Sequence, residues 1–300
     1  MHSVFEMKGS NGQVVKGNKW IVSEEVKQVV VLSHGMNEYT YRYNDFALYL
    51  NDNGINVMGL DHIGHGLNVD NTEDLLKWPK NGFDICVDNL ALLINKLKEE
   101  GNEVILFAHS MGSFMGQSLI ERYPGIVEKV ILCGTSGPSP LFGFGSALCK
   151  FHAFITGNGM KKSYFLNKVS FASYNSKVKE KRTEFDWLSV NKENVDKYIA
   201  DPYCGNVPSR NFFASFIGSI PKIFKKKNLN KIDIYSKVLF IVGSEDPVGG
   251  YVKSIKKLQR LYTNRKISSS LIIYPGMRHE ILNEDDKEIV YKDVLKFIKS

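Results

Sequence analysis

The sequence predicts an α/β fold: a mostly parallel central sheet with helices on both faces, and an inserted, mainly helical segment between two of its strands. Three observations carry this. Short β-branched or aliphatic runs recur at Val29–Leu32, Ile55–Leu60, Val104–Phe107, Val130–Cys133, Val238–Val242 and Leu271–Tyr274. Most of the stretches between them show helical spacing, the alternation expected when strands are buried on both faces. From Thr135 to about Ile220 the rhythm stops, no strand-like run appears, and the composition turns aromatic and glycine-rich.

Taken in order, Val4–Lys8 and Trp20–Val22 read as an antiparallel edge. Val29–Leu32 opens the parallel set and runs into Ser33-His34-Gly35-Met36-Asn37-Glu38, with a helix expected from Arg42-Tyr43. Ile55–Leu60 leads to Asp61-His62-Ile63-Gly64-His65-Gly66, where the two histidines are read as organising a tight turn; spacing supplies no third metal ligand, so no metal is expected. Cys86, Leu90, Leu93 and Leu97 fall on one helical face. The inserted segment carries Leu141, Phe142, Phe144, Phe151, Phe154, Phe165 and Phe171, with Phe212, Phe213, Phe216, Ile217 and Ile220 near its end. These are divided between packing of the insertion and the lining of an apolar pocket. Val290, Val294 and Phe297 mark a last helix. The expected organisation is therefore a core of residues 1–136 and 221–300, with 137–220 as a cap.

A chain of 300 residues with 43% hydrophobic content can fill one large core plus an insertion. The first residues, Met1 to Lys8, lack the charged start and apolar stretch of a signal peptide, and no apolar run approaches the ~20 residues of a spanning helix. A cytoplasmic protein is expected. Cys86, Cys133, Cys149 and Cys204 have no zinc or redox spacing and are expected to be reduced thiols. The net charge of +7, densest at Lys222, Lys225, Lys226, Lys227 and Lys231, is read as a solvated face, with an acidic substrate, or peripheral contact of the cap or this basic loop with a membrane surface, as the alternatives. No signature of nucleic-acid recognition accompanies it.

The strand Val104–Phe107 runs through Ala108-His109 to Ser110-Met111-Gly112-Ser113 and into a helix-like segment. A serine on such a strand–turn–helix is presented where a histidine can reach it, with the following N–H free to stabilise an oxyanion. The partners of this chemistry are expected past later strands, in the order serine, acid, histidine. Val238–Val242 runs into Gly243-Ser244-Glu245-Asp246-Pro247, and Leu271–Tyr274 leads to His279. Ser110, Asp246 and His279 are therefore the candidate catalytic residues. Asp246 is preferred over Glu245 because the Asp-Pro step fits the turn. His109 is read as structural, its side chain diverging from Ser110 at the sharp turn. The backbone N–H groups of Met36 and Met111 are the candidate oxyanion donors, Met36 because Gly35 permits the turn that aims it inward.

On these residues the chain resembles the monoglyceride lipase and lysophospholipase branch of the α/β-hydrolase superfamily, over nearly its whole length. The matching pieces are His34-Gly35-Met36-Asn37-Glu38 with Arg42-Tyr43, the turn Asp61–Gly66, the elbow His109-Ser110-Met111-Gly112, Gly243-Ser244-Glu245-Asp246-Pro247 and His279-Glu280-Ile281-Leu282-Asn283-Glu284. Phe185-Asp186-Trp187-Leu188-Ser189 and Asp201-Pro202-Tyr203-Cys204-Gly205 are similar to cap sequences of bacterial members. One departure is plain: Ala108 stands where the family's elbow has its first glycine. The resemblance implies a serine esterase acting on single-chain lipid esters, such as a monoacylglycerol or a lysophospholipid, with no cofactor. Two other readings stay open. A serine aminopeptidase of the same fold needs acidic groups in its cap, for which Glu180, Glu184 and Asp186 are available among Lys177, Lys179, Lys181 and Arg182. A hydrolase-fold protein that binds a ligand without turning it over is the third.

Overall fold

The computed structural model describes residues 1–300. Eight strands form one sheet: β1 (His2–Lys8), β2 (Val14–Trp20), β3 (Gln28–Ser33), β4 (Asn56–Leu60), β5 (Glu103–His109), β6 (Lys129–Cys133), β7 (Lys237–Gly243) and β8 (Ser268–Tyr274). Their spatial order is β1-β2-β4-β3-β5-β6-β7-β8. β2 pairs antiparallel with both neighbours and all other pairs are parallel, so β2 alone runs against the rest. The expected antiparallel edge is present, but its second strand is Val14–Trp20 rather than Trp20–Val22. The polar residues Lys16, Asn18 and Lys19 hide it in the sequence, and pairing decides it: Gly17 sits opposite Leu60 so closely that a Cβ there would lie 2.1 Å from the Gly59 carbonyl oxygen.

The central strands are apolar at successive positions because each face has its own core. Val29 and Val31 of β3, with Leu106 and Ala108 of β5, belong to one cluster; Val30 and Leu32, with Ile105 and Phe107, belong to the other. Alternation with period two sends neighbouring side chains to opposite faces. The helices α2 (Gly82–Glu99), α3 (Met111–Arg122) and α9 (Lys253–Thr263) cover the first face, and α1 (Asn44–Asp52) and α10 (Lys287–Ile298) the second. Cys86, Leu90, Leu93 and Leu97 point together into the first core. On α10 the buried stripe is Val290, Val294 and Ile298, with Phe297 only partly covered.

Between β6 and β7 lie α4 (Pro140–Thr156), α5 (Tyr164–Phe171), α6 (Lys192–Ala200) and α7 (Arg210–Ile223), followed by the short α8 (Lys226–Leu229). Ser139, Ser163, Asn191 and Ser209 cap α4 to α7 in turn, each side-chain oxygen accepting from a backbone N–H of the first turn. The large apolar side chains of this segment go several ways, and some line the cavity above Ser110. Phe212 and Phe216 join the main core, and Phe213 packs with Cys149 and Leu166. Leu141, Phe144, Phe151 and Phe154 of α4 face outward, with Phe154 84% exposed, a destination the division between packing and pocket leaves out. No helix is long and apolar enough to cross a membrane.

Candidate active site

Ser110 ends the turn between β5 and α3 with φ 51° and ψ −120°, a left-handed backbone unfavourable for a residue with a Cβ. The turn is tight enough that the first helical residues approach the end of β3. A Cβ on Gly112 would stand 2.1 Å from the Ser33 carbonyl oxygen, so glycine is required there. Ala108 is accommodated from the other side: the α3 residue facing it is Gly116, where a Cβ would come within 3.2 Å of the Ala108 methyl. The methyl gained in the strand is matched by one absent from the helix.

Asp246 and His279 lie in the loops after β7 and β8. His279 Nε2 is 2.8 Å from Ser110 Oγ, and His279 Nδ1 is 3.0 Å from Asp246 Oδ2. With a carboxylate as partner Nδ1 carries the proton, leaving Nε2 to accept from the serine hydroxyl. Asp246 is fully buried and its other oxygen accepts the Val248 N–H at 2.8 Å. Glu245 is exposed and reaches only towards Arg278. The carboxylate that meets His279 is therefore Asp246. Met111 opens α3, so its N–H is one of those a helix leaves unpaired, and the Met36 N–H likewise has no acceptor within the protein.

Beneath these residues is a buried charge cluster whose parts the sequence displayed without their roles. Glu38 accepts from the Gly35 N–H, from the Tyr43 hydroxyl at 2.8 Å and from His109 Nδ1 at 3.0 Å. The other ring nitrogen of His109 is 3.3 Å from the His279 carbonyl oxygen, so both nitrogens face acceptors, as in an imidazolium. Burial opposes that charge, but the hydrogen bond and charge of Glu38 outweigh it and raise the His109 pKa. Arg42 bridges Glu38 at 3.2 Å and Glu280 at 2.8 and 2.9 Å, and Asn194 of α6 donates to Glu280 at 2.8 Å. Burial would raise the Glu38 pKa too; His109 and Arg42 overcome it and hold the carboxyl at about 2. A carboxylate depressed in the folded state contributes stability that is present above the unfolded pKa near 4.5 and lost as pH falls towards 2. Thermal unfolding measured from pH 6 to pH 3 should show a steep fall below about pH 4.5 that the Glu38→Gln variant shows only weakly.

The histidine loop is tied to the segment after α5. Arg278 Nη1 donates to the carbonyl oxygens of Asp186 at 2.6 Å and Ser189 at 3.0 Å, and the Glu280 N–H donates to Leu188 at 2.7 Å. Glu284 accepts from the Ser189 hydroxyl and the Val190 and Arg278 N–H groups. These bonds set the Trp187 ring 5.1 Å from that of His279. His62 and His65 organise the turn after β4: the His62 N–H donates to His34 Nε2, and His65 Nδ1 donates to the Ile63 carbonyl.

Above Ser110 is a cavity of about 680 Å³ lined mainly by apolar side chains, among them Phe114, Phe142, Phe171, Trp187, Phe213 and Phe216. Glu184 and Lys168 also line it.

The fold and this arrangement are those of an α/β-hydrolase. Residues 24–286 match the family described as serine aminopeptidase, S33, and the chain belongs to that family. It is 25% identical to a monoacylglycerol lipase of Mycolicibacterium smegmatis, over 97% of this chain and 95% of that one. It is 29% identical to lysophospholipase L2 of Escherichia coli over 39% of this chain and 33% of the other. A thermostable carboxyl esterase of Bacillus coagulans, solved in complex with glycerol, superposes with a TM-score of 0.92 at 23% identity, covering 99% of this chain and 98% of that one.

Proposed function

We propose that the protein hydrolyses single-chain lipid esters, monoacylglycerols first, through an acyl-enzyme on Ser110. The observation that carries the reading is the hydrogen-bonded line Asp246–His279–Ser110 opening onto a mainly apolar cavity of about 680 Å³. His279 Nε2 takes the Ser110 proton as Oγ attacks the ester carbonyl, and Asp246 stabilises the resulting imidazolium. The N–H groups of Met36 and Met111 receive the developing oxyanion, each worth roughly 3–4 kcal/mol of barrier. His279 then protonates the departing alcohol. A water deprotonated by the same nitrogen attacks the acyl-enzyme and releases the fatty acid. Neither a metal nor an organic cofactor takes part in these steps.

Residues 137–220 act as the cap of this site, and residues 1–136 and 221–300 as the hydrolase core. The outward Leu141, Phe144, Phe151 and Phe154 give the cap an apolar face suited to touching the lipid surface that supplies substrate. The test is fatty-acid release from a long-chain monoacylglycerol, together with kcat/KM on p-nitrophenyl esters from acetyl to dodecanoyl. The expected result is release with kcat/KM rising over the first part of the series, because each buried methylene adds about 0.8 kcal/mol. A monotonic fall from acetyl onward would sink the lipid reading. Glu184 in the cavity wall favours the aminopeptidase alternative, since a carboxylate there suits a free amine. Turnover of a prolyl-anilide above that of every ester would decide for it.

A further inference from the structure

A second cavity of about 610 Å³ lies behind the wall of the first and has the opposite character. Lys177, Lys179, Arg182, Lys192 and Arg278 line it against three carboxylates, Glu180, Asp186 and Glu245. Five cations against three carboxylates leave the lining with an excess of two positive charges. Asp186 spends both oxygens on Thr183 and the Arg182 N–H, and Glu245 stands 3.9 Å from Arg278 Nε, beyond hydrogen-bonding distance. Arg182 pairs outward with Asp196 at 2.6 Å, while Lys177, Lys179 and Lys192 form no ion pair. Lys177 Nζ rests 3.6 Å above the Tyr251 ring. Arg278 Nε is buried and donates to nothing. A half-enclosed space with free ammonium groups and an unused guanidinium edge matches the charge and the several acceptor oxygens of a phosphate group.

The walls of this cavity are the supports of the candidate catalytic residues. Ser244 and Glu245 precede Asp246 directly, and the Tyr251 N–H donates to the Asp246 carbonyl at 2.9 Å. Tyr251 and Val252 both hold left-handed backbone, with φ 54° and 74°, so this loop is under strain that a bound group can shift. Arg278 precedes His279 and holds the carbonyls on either side of Trp187, the ring that packs on His279. Tyr174 lines both cavities and meets Trp187 edge-on at 4.8 Å.

We propose that this second cavity binds a phosphate-bearing small molecule, and that its occupancy alters ester hydrolysis through Arg278 and the Asp246 loop. The binding half stands independently of the function proposed above; the coupling half rests on it.

The experiment is isothermal titration of the full-length protein with inorganic pyrophosphate at fixed ionic strength, repeated with a short-chain lysophosphatidate. Hydrolysis of p-nitrophenyl butyrate is followed in parallel. Saturable binding is expected, weakened by at least about tenfold in Lys177→Glu/Lys192→Glu, as loss of charge-assisted contacts requires. The effect of ligand on rate is read within each protein, and because both lysines are exposed the double variant should keep the native melting temperature. If it does not, Lys177→Ala and Lys192→Ala measured singly replace it. Absence of saturable binding by either probe, or affinity unchanged by the substitutions, overturns the site. Binding without any change in kcat or KM overturns the coupling. Pyrophosphate binding as tightly as lysophosphatidate identifies a soluble phosphate compound as the occupant; lysophosphatidate binding alone, lost in the double variant, identifies a lipid headgroup. Because binding is read as heat, it is measured even if no ester is turned over.

Discussion

Ser110→Ala is expected to lower kcat for ester hydrolysis by roughly 10⁴- to 10⁶-fold while leaving the fold intact. The substitution removes the side-chain oxygen that stands 2.8 Å from His279 Nε2, and it adds no bulk to the turn. KM on a soluble ester should change by much less than kcat, because the apolar cavity and the two backbone donors remain. Labelling by a fluorophosphonate probe should vanish in parallel, since it needs the same nucleophile. Asp246→Asn should fall short of the serine variant, at about 10⁴-fold, because it leaves nucleophile and base present but favours the wrong imidazole tautomer. Hydrolysis by Ser110→Ala within tenfold of the native rate would end the acyl-enzyme account.

Glu38→Ala is expected to cost about 3–5 kcal/mol of stability and to impair catalysis as well. The native cluster contains two carboxylates, Glu38 and Glu280, and two cations, Arg42 and His109, of which all but the partly covered Arg42 are buried. Deleting one carboxylate leaves positive charge without compensation in a region closed to water. His109 should then lose its second proton, and the Gly35 N–H its acceptor, loosening the turn that presents the Met36 N–H. The loss should divide unequally, with kcat falling more than KM rises, since the disturbed donor acts on the transition state. Glu38→Gln keeps the shape and an acceptor oxygen and should recover part of the catalytic loss without the electrostatic part of the stability. Denaturant unfolding and steady-state kinetics on the three proteins decide this, and a Glu38→Ala protein as stable as the native one would contradict it.

The central strands were readable because burial on both faces leaves little room for polar residues, so β3, β5, β6 and β7 announce themselves as apolar runs. β2 did not, because its place is decided by partners remote in sequence and by the absence of a side chain at Gly17. At the site, Ser110, Asp246 and His279 could be picked out one at a time, each just past a strand, and the structure brings the three into hydrogen-bonding contact. The cluster of Glu38, Arg42, His109 and Glu280 could not be read in the same way. Its members are ordinary charged residues in sequence, and their roles exist only after β3, β5 and the loop after β8 have been brought side by side. The outward aromatics of α4 show a different limit: periodicity marks a helix with more than one apolar face but not which face meets solvent.

The left-handed backbone at Ser110 sets the interests of folding and of chemistry against each other. A residue with a Cβ is held there at a cost of about 1–3 kcal/mol, and glycine alone adopts the conformation freely. The chain would therefore gain stability by giving up its hydroxyl, provided glycine replaced it. Serine is thus held in a conformation that glycine would take more freely, and the well-packed sheet on either side is what keeps it in place.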